Sequence, residues 1–205
     1  MDVKNKKYLF VYLHGFRSSP QSTKARLTEA ALAERQANGW QIEWYAPQLP
    51  ASPKEAMALV QAEIVQRQYD VLCIIGSSLG GYYATYLAEQ YPGARTTLLN
   101  PAVFPARDLE RYVGTQTNWH DGSPFEFKPE YVAQLEALKV DRLTGHERYY
   151  LVAATDDEVL DWKEMMMKYP GANQVVIRGG DHAITDYPIY LPEILRFHFF
   201  WSYEN

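Results

Sequence analysis

Cysteine is nearly absent from this sequence, since Cys73 is the only one among its 205 residues. A single cysteine cannot form a disulfide within the chain, and it cannot supply a cluster of thiolate ligands for a metal. Cys73 lies in the apolar run Val71-Leu72-Cys73-Ile74-Ile75, where a cysteine typically packs as a small hydrophobic residue. We therefore expect an ordinary hydrophobic core to stabilise the fold.

Long hydrophobic runs are also missing. No stretch of the sequence approaches the roughly 18 apolar residues that a membrane-spanning helix needs. The first apolar run, Tyr8 to Leu13, is interrupted by the polar hydroxyl of Tyr12 and is too short for the apolar core of a signal peptide. The sequence therefore predicts a cytoplasmic protein without a membrane span.

Basic clusters and metal-binding motifs are absent too. The net charge of -5 and the pI of about 5.6 argue against a nucleic-acid partner, because affinity for phosphates comes largely from clustered Lys and Arg side chains. The zinc motif H-E-x-x-H does not occur, and the 5 histidines are scattered without the spacing of metal ligands. The sequence thus predicts neither a metal ion nor an organic cofactor.

The residues that are present have the composition of an ordinary globular protein, 47% hydrophobic and 22% charged, and residues 1–205 are predicted to form one domain. Apolar runs recur along the chain, and a helical pattern follows each of them. This alternation predicts an α/β fold with a mostly parallel sheet of about six strands and helices on both faces. The predicted strands are Tyr8 to Leu13, Gln41 to Tyr45, Val71 to Ile75, Thr96 to Leu99, Tyr149 to Ala153 and Gln174 to Ile177.

One segment, Ala102 to Glu147, breaks this alternation and is predicted to be an insertion. No strand is predicted in it, whereas helices are predicted from Ala106 to Tyr112 and from about Pro129 onward. Aromatic residues lie among polar ones here, and long insertions in compact domains are often lids or binding loops. We expect a small cap over the sheet; the alternative is a structural excursion packed on the sheet edge.

The strand Val71 to Ile75 runs directly into Gly76-Ser77-Ser78-Leu79-Gly80, and a helical pattern follows. G-x-S-x-G between a strand and a helix is typical of a nucleophile elbow, in which the serine lies on a tight, strained turn and the glycines leave room for the neighbouring backbone. Ser78 is therefore the candidate nucleophile. The alternative is a glycine-rich turn in which Ser78 or Ser77 only caps the helix.

A nucleophilic serine needs a general base, and the base needs an acid that fixes its tautomer. His182 follows the last predicted strand, and Asp156, Asp157 and Glu158 follow the strand before it. Serine, then acid, then histidine, each just after a strand, is the order of the α/β-hydrolase triad. Spacing alone does not choose among the three acids.

The segment His14-Gly15-Phe16-Arg17 follows the first strand, where the loop of an oxyanion hole is expected. The Phe16 N–H is the first predicted donor, because Gly15 permits the bend that points it at the site. The Leu79 N–H, next to the nucleophile, is the second. The His14 ring is predicted to be structural. Aromatic residues near the nucleophile and in the insertion predict an acyl pocket, with candidate substrate contacts at Phe16, Tyr82, Trp119 and Phe125.

Six short motifs extend this pattern. They are Leu13-His14-Gly15-Phe16 with Ser18-Ser19-Pro20, Pro47-Gln48-Leu49-Pro50, Gly76 to Thr85, Asn100-Pro101-Ala102, Asp157 to Asp161 and Gly179-Gly180-Asp181-His182-Ala183. Over most of its length the sequence resembles the YqiA-like esterases, small bacterial members of the α/β-hydrolase superfamily. The resemblance is weakest in the insertion, and Asp156 stands where the family motif has glycine. It implies a serine esterase with Ser78 as nucleophile, Asp157 as acid and His182 as base.

Together these features predict a serine esterase that hydrolyses a small-molecule carboxylic ester or acyl thioester through an acyl-enzyme on Ser78. The same acyl-enzyme serves either leaving group, so the sequence does not separate the two. The alternative from another class is a non-catalytic ligand-binding protein on an α/β-hydrolase scaffold, because a fold alone does not fix a function.

Overall fold

A parallel sheet of six strands lies at the centre of the structure, a computed structural model that describes residues 3–200. All six predicted strands are confirmed, and their ends differ from the predicted ones by at most two residues. Every pairing between neighbours is parallel. In spatial order the strands are β2 (Gln41–Tyr45), β1 (Lys7–Leu13), β3 (Val71–Ser77), β4 (Arg95–Leu99), β7 (Tyr149–Ala154) and β8 (Asn173–Ile177).

Helices cover both faces of this sheet, as predicted. Successive side chains of a strand point to opposite faces, so β1 contributes Leu9, Val11 and Leu13 to one core cluster and its alternate residues to the other. Cys73 is fully buried in the second cluster, where burial raises the pKa of its thiol. The first face is covered by α2 (Pro53–Gln66), α3 (Leu79–Gln90) and α6 (Trp162–Lys168), and the second by α1 (Thr23–Ala37) and α7 (Tyr187–Phe200).

The predicted insertion contains two short helices, α4 (Pro105–Leu109) and α5 (Pro129–Ala137), close to their predicted positions. The prediction that it has no strand was wrong. The strands β5 (Gly114–Thr117) and β6 (Pro124–Phe127) pair in an antiparallel hairpin, which we call the cap hairpin. Its strands have four residues each, too few for a clear alternating pattern.

No helix within residues 3–200 is both long and apolar enough to cross a membrane. The longest of these, α1, has 15 residues, and polar side chains are interspersed among its apolar ones. Its buried residues are Ala25, Thr28 and Leu32. This spacing of three and four residues places them on the side of the helix that packs against the sheet.

Candidate active site

Three strand ends bring Ser78, Asp157 and His182 to one edge of the sheet. Ser78 directly follows β3, and Asp157 and His182 lie in the segments that follow β7 and β8. Because the strands are parallel, their carboxyl ends share an edge, where α/β proteins commonly bind ligands. Ser78 and His182 line the same cavity, which has a volume of about 390 Å³. The structure thus places the predicted nucleophile and base at the same cavity.

Ser78 occupies a strained turn between β3 and α3. Its φ of 56° and ψ of -120° lie in a region that non-glycine residues rarely adopt. Neighbouring backbone holds the turn, because the Ser78 N–H donates to the Leu99 carbonyl at 3.0 Å and the Ser78 carbonyl accepts the Ala102 N–H at 3.0 Å. The Ser78 side chain makes no capping hydrogen bond to α3. The structure therefore argues against the alternative in which this serine only caps the helix.

Two glycines allow the backbones of the strands and of the helix to pack directly against one another. A Cβ on Gly76 would lie 2.2 Å from the Gly80 carbonyl oxygen, and a Cβ on Gly80 would lie 1.9 Å from the Leu13 carbonyl oxygen. Neither distance is compatible with van der Waals contact, and the obstructing atoms are backbone. The close approach of β1 and β3 to α3 is what positions Ser78 beside the loop that follows β1.

Replacing Gly80 with alanine is expected to lower the free energy of unfolding by about 3 kcal/mol. The added methyl group would meet the backbone of β1, which cannot move without disturbing the sheet. Gly93→Ala is the matched control, because nothing lies within 4 Å of a Cβ at that position, and it is expected to change stability by less than about 0.5 kcal/mol. Urea unfolding measures both variants, and equal stabilities would contradict the close packing at Gly80.

Asp157 and His182 form a close pair. The Asp157 Oδ2 lies 2.7 Å from the His182 Nδ1, and the Asp157 side chain is 0% exposed. The other carboxylate oxygen accepts the N–H groups of Val159 at 2.8 Å and Leu160 at 2.9 Å. Both oxygens are therefore engaged, and the carboxylate can hold the imidazole with its proton on Nδ1 and with Nε2 free to accept one.

The other two candidate acids do not bind the His182 ring. Asp156 is exposed, and its Oδ1 accepts the Thr155 hydroxyl at 3.0 Å. Glu158 accepts the backbone N–H of His182 at 3.0 Å, so it contacts the segment but not the ring. The structure thus pairs the imidazole with Asp157 among the three acids that spacing left open.

Asn100 holds the His182 segment in place, a role that its sequence motif does not indicate. It is fully buried at the end of β4, with a φ of 42°. Its Nδ2 donates to the carbonyls of Asp181 at 3.0 Å and His182 at 3.2 Å, and its Oδ1 accepts the Ala154 N–H at 2.8 Å. One amide therefore fixes the backbone of His182 relative to β7.

The two predicted oxyanion donors both line the cavity. The Leu79 N–H is the first of α3, and the first N–H groups of a helix have no intrahelical acceptor. On the other side, a Cβ on Gly15 would lie 3.0 Å from the Ser78 Cβ, so the backbone that leads into Phe16 abuts the nucleophile. Within residues 3–200 the Phe16 N–H makes no hydrogen bond. Both donors are thus free beside Ser78.

The His14 ring fixes the peptide group that carries the Phe16 N–H. Its Nδ1 donates to the Gly15 carbonyl at 2.9 Å, and its Nε2 accepts the Leu49 N–H at 3.0 Å. Burial lowers the pKa of His14, which favours the neutral ring that this arrangement requires. The Gly15 carbonyl and the Phe16 N–H belong to one planar peptide, so holding the first directs the second.

The predicted substrate contacts divide into two groups. Phe16 and Trp119 line the cavity, and the Trp119 side chain is 68% exposed at the surface. Tyr82 does not line it, because its ring points from α3 toward α5 and its hydroxyl donates to the Leu135 carbonyl at 2.7 Å. Phe125 does not line it either, since it packs edge-on against Phe16 with 5.8 Å between ring centroids.

Lys24 lines the same cavity and was not identified from the sequence. Its Nζ donates to the Ala183 carbonyl at 2.6 Å, next to His182. Burial lowers the pKa of Lys24 to about 8, although the nearby carboxylates of Asp181 and Asp157 oppose this shift. A partly buried cation therefore stands beside the acid–histidine pair.

The remaining histidines lie away from the cavity. His198 is fully buried, with its Nε2 2.9 Å from the Thr97 hydroxyl, and His120 and His146 do not line the cavity. Within residues 3–200, no three His, Cys, Asp or Glu side chains are grouped so that they could hold a metal ion.

Solved structures with this fold are numerous. A protein from Agrobacterium vitis S4 described as a hydrolase is 17% identical, with a TM-score of 0.73 over 94% of this chain and 88% of that one. Est1E from Butyrivibrio proteoclasticus is 16% identical, with a TM-score of 0.67 over 94% and 87%. One of the metagenome-derived lipolytic enzymes LipS and LipT is 15% identical, with a TM-score of 0.66 over 93% of each chain. The predicted α/β-hydrolase fold is thereby confirmed.

A sequence comparison places the chain in a family. The sequence model of the family described as "Uncharacterised protein family (UPF0227)" matches residues 9–199, which include every triad candidate. The chain therefore belongs to this family, which is the family of the YqiA-like esterases that its motifs resemble.

Proposed function

We propose that the protein is a serine esterase that hydrolyses a small-molecule carboxylic ester or acyl thioester through an acyl-enzyme on Ser78. The observation that carries the proposal is the 2.7 Å contact between Asp157 and the His182 ring, beside a cavity that also contains a serine on a strained turn. The shared fold with enzymes named as lipolytic supports hydrolase chemistry.

In the first half of the reaction, the Ser78 Oγ attacks the carbonyl carbon of the substrate while the His182 Nε2 takes the hydroxyl proton. Asp157 stabilises the resulting imidazolium and keeps the ring oriented. The oxyanion accepts hydrogen bonds from the N–H groups of Phe16 and Leu79. His182 then gives its proton to the leaving alcohol or thiol as the bond between the carbonyl carbon and the leaving group breaks.

In the second half, water replaces the leaving group. His182 removes a proton from the water molecule, and the hydroxide attacks the carbonyl carbon of the acyl-enzyme. The bond between this carbon and the Ser78 Oγ breaks, Ser78 regains its proton from His182, and the carboxylic acid is released. No step needs a metal ion or a redox partner, and the active groups are the same for an ester and a thioester.

A fluorophosphonate probe tests the proposal. Attack by an activated serine forms a bond from its Oγ to phosphorus and expels fluoride, so we expect one adduct per chain, located by mass spectrometry on the peptide that contains Ser78. His182→Ala is expected to slow labelling by a factor of about 100 or more, because the general base is lost. An ester or thioester substrate present in excess should compete with the probe.

The same experiment addresses the alternative class. A chain that keeps its fold but shows no labelling at Ser78 would be a non-catalytic binding protein on this scaffold. Labelling that is independent of His182 would show that the serine is not activated by that ring, and it would contradict the proposed mechanism.

A further inference from the structure

The cap hairpin contacts the loop between β1 and α1 at the two residues that follow Gly15. We propose that the cap hairpin is a positioning element for the oxyanion donor, and that Arg17 is the residue that couples them. The inference rests on the proposed function, because it assigns the Phe16 N–H to the oxyanion. It goes beyond that function by giving the insertion a part in the chemical step.

Hydrogen bonds join Arg17 to the cap hairpin in both directions. The Arg17 carbonyl accepts the Trp119 N–H at 2.9 Å, and the Arg17 Nε donates to the Thr117 carbonyl at 2.7 Å. The guanidinium also lies over the Trp119 ring, 5.2 Å from its centroid. The backbone and the side chain of one loop residue are therefore both tied to the end of β5 and to the turn after it.

Aromatic contacts from the insertion also hold Phe16, the residue before Arg17. The Phe16 ring packs edge-on against Phe127 of β6, with 5.2 Å between centroids and an angle of 73° between planes. Phe127 is almost completely buried, so this contact anchors Phe16 to the core. Phe125 and Tyr112 are further ring neighbours, at 5.8 Å and 5.7 Å. Three of the rings around the donor residue thus come from the insertion.

The backbone of Arg17 shows why these contacts are needed. Its φ is 61°, a left-handed conformation that non-glycine side chains adopt at an energetic cost and that persists only where the surroundings hold it. On the N-terminal side of Phe16, the Gly15 carbonyl accepts hydrogen bonds from the His14 ring and from the Ser18 N–H, the latter at 3.2 Å. The Phe16 N–H therefore lies between two fixed points, of which the cap hairpin supplies one.

This arrangement links substrate contact to catalysis. Trp119 lines the cavity and also donates to the Arg17 carbonyl, so a substrate that moves the cap hairpin also moves the backbone that carries the donor. Donors of an oxyanion hole must lie at hydrogen-bond distance from the developing charge, and deleting one typically costs a factor of about 100 to 1,000 in kcat. Displacing a donor without deleting it should lower kcat by a smaller factor.

Arg17→Met tests the coupling, because methionine keeps an unbranched side chain while it removes the guanidinium. We expect kcat for a small neutral ester to fall by a factor of about 10 or more and KM to change by less than about twofold, since the contact acts on the transition state. The affinity for a boronic acid, whose adduct with the serine is tetrahedral and anionic, should fall in proportion to kcat. Arg17→Lys, which can still donate to the Thr117 carbonyl, should restore part of the loss.

Thr115→Ala is the matched control, because the Thr115 hydroxyl donates to Glu126 within the cap hairpin and not to the loop that carries Arg17. We expect its kcat to equal that of the unmodified protein, and all variants to remain folded at the assay temperature. Unchanged kcat in Arg17→Met, or a loss confined to KM, would overturn the inference while leaving the esterase proposal intact. Absence of any turnover that depends on Ser78 in the unmodified protein would overturn both.

Discussion

Replacing Ser78 with alanine is expected to lower kcat by a factor of about a million, to the level that binding and oxyanion contacts supply alone. The nucleophile is lost, and no other hydroxyl occupies the strained turn. Folding should be unaffected, because the Ser78 side chain makes no capping hydrogen bond to α3 and alanine has the same backbone restrictions as serine. Steady-state hydrolysis of an activated ester, measured together with the thermal midpoint, provides the test.

Ser77→Ala is the control for the neighbouring hydroxyl. Ser77 is the last residue of β3 and is buried, so its replacement tests whether a loss at Ser78 reflects chemistry or a general disturbance of the turn. We expect Ser77→Ala to keep most of the activity. A Ser78→Ala protein that retained more than about a thousandth of the original kcat, after contaminating esterases were removed, would contradict the assignment of Ser78 as nucleophile.

Asp157→Asn is expected to lower kcat by a factor of about 10,000. The asparagine oxygen can still accept the N–H groups of Val159 and Leu160, so the segment should stay folded. The amide nitrogen, however, would donate to the His182 Nδ1, and the ring proton would move to Nε2. A protonated Nε2 could no longer accept the proton of the Ser78 hydroxyl. A large loss of kcat without a loss of stability is the expected signature.

Asp156→Asn is the matched control, since it makes the same change one residue earlier on an exposed side chain. We expect kcat to change by no more than about threefold. The two variants together separate the acid of the triad from general electrostatics near the cavity. The opposite result, in which Asp156→Asn is the inactive variant, would assign the acid to Asp156 and would show that the segment after β7 changes its conformation in solution.

The sequence was informative where a feature depends on neighbouring residues. Runs of four to six residues, rich in apolar, β-branched or aromatic side chains, predicted all six sheet strands, because such residues favour buried strands of a parallel sheet. The order of Ser78 and His182 after their strands placed them at one edge, since parallel strands end together. Choosing Asp157 required the family resemblance, because backbone direction within a turn decides which of three adjacent carboxylates meets the ring.

Features that depend on distant residues were not visible in the sequence. Asn100 contacts residues 81 and 82 positions later, and Lys24 contacts a carbonyl 159 positions later, so no local pattern gives their roles, although Asn100 lies in one of the family motifs. Tyr82 follows the nucleophile closely in sequence, but the docking of α5 on α3 determines where its hydroxyl points. The cap hairpin was missed because its short strands gain order from contacts with Phe16 and Arg17.

The position of Asn100 also bears on the chemical ageing of the protein. An asparagine deamidates when the backbone nitrogen of the next residue attacks its side-chain carbonyl, and the product is an aspartate. At this position a carboxylate would face the carbonyls of Asp181 and His182, which now accept from the amide, and would push the His182 segment away. The next residue is Pro101, whose backbone nitrogen carries no hydrogen and cannot form the cyclic imide. The amide that holds His182 is thus shielded from the spontaneous reaction that would destroy it.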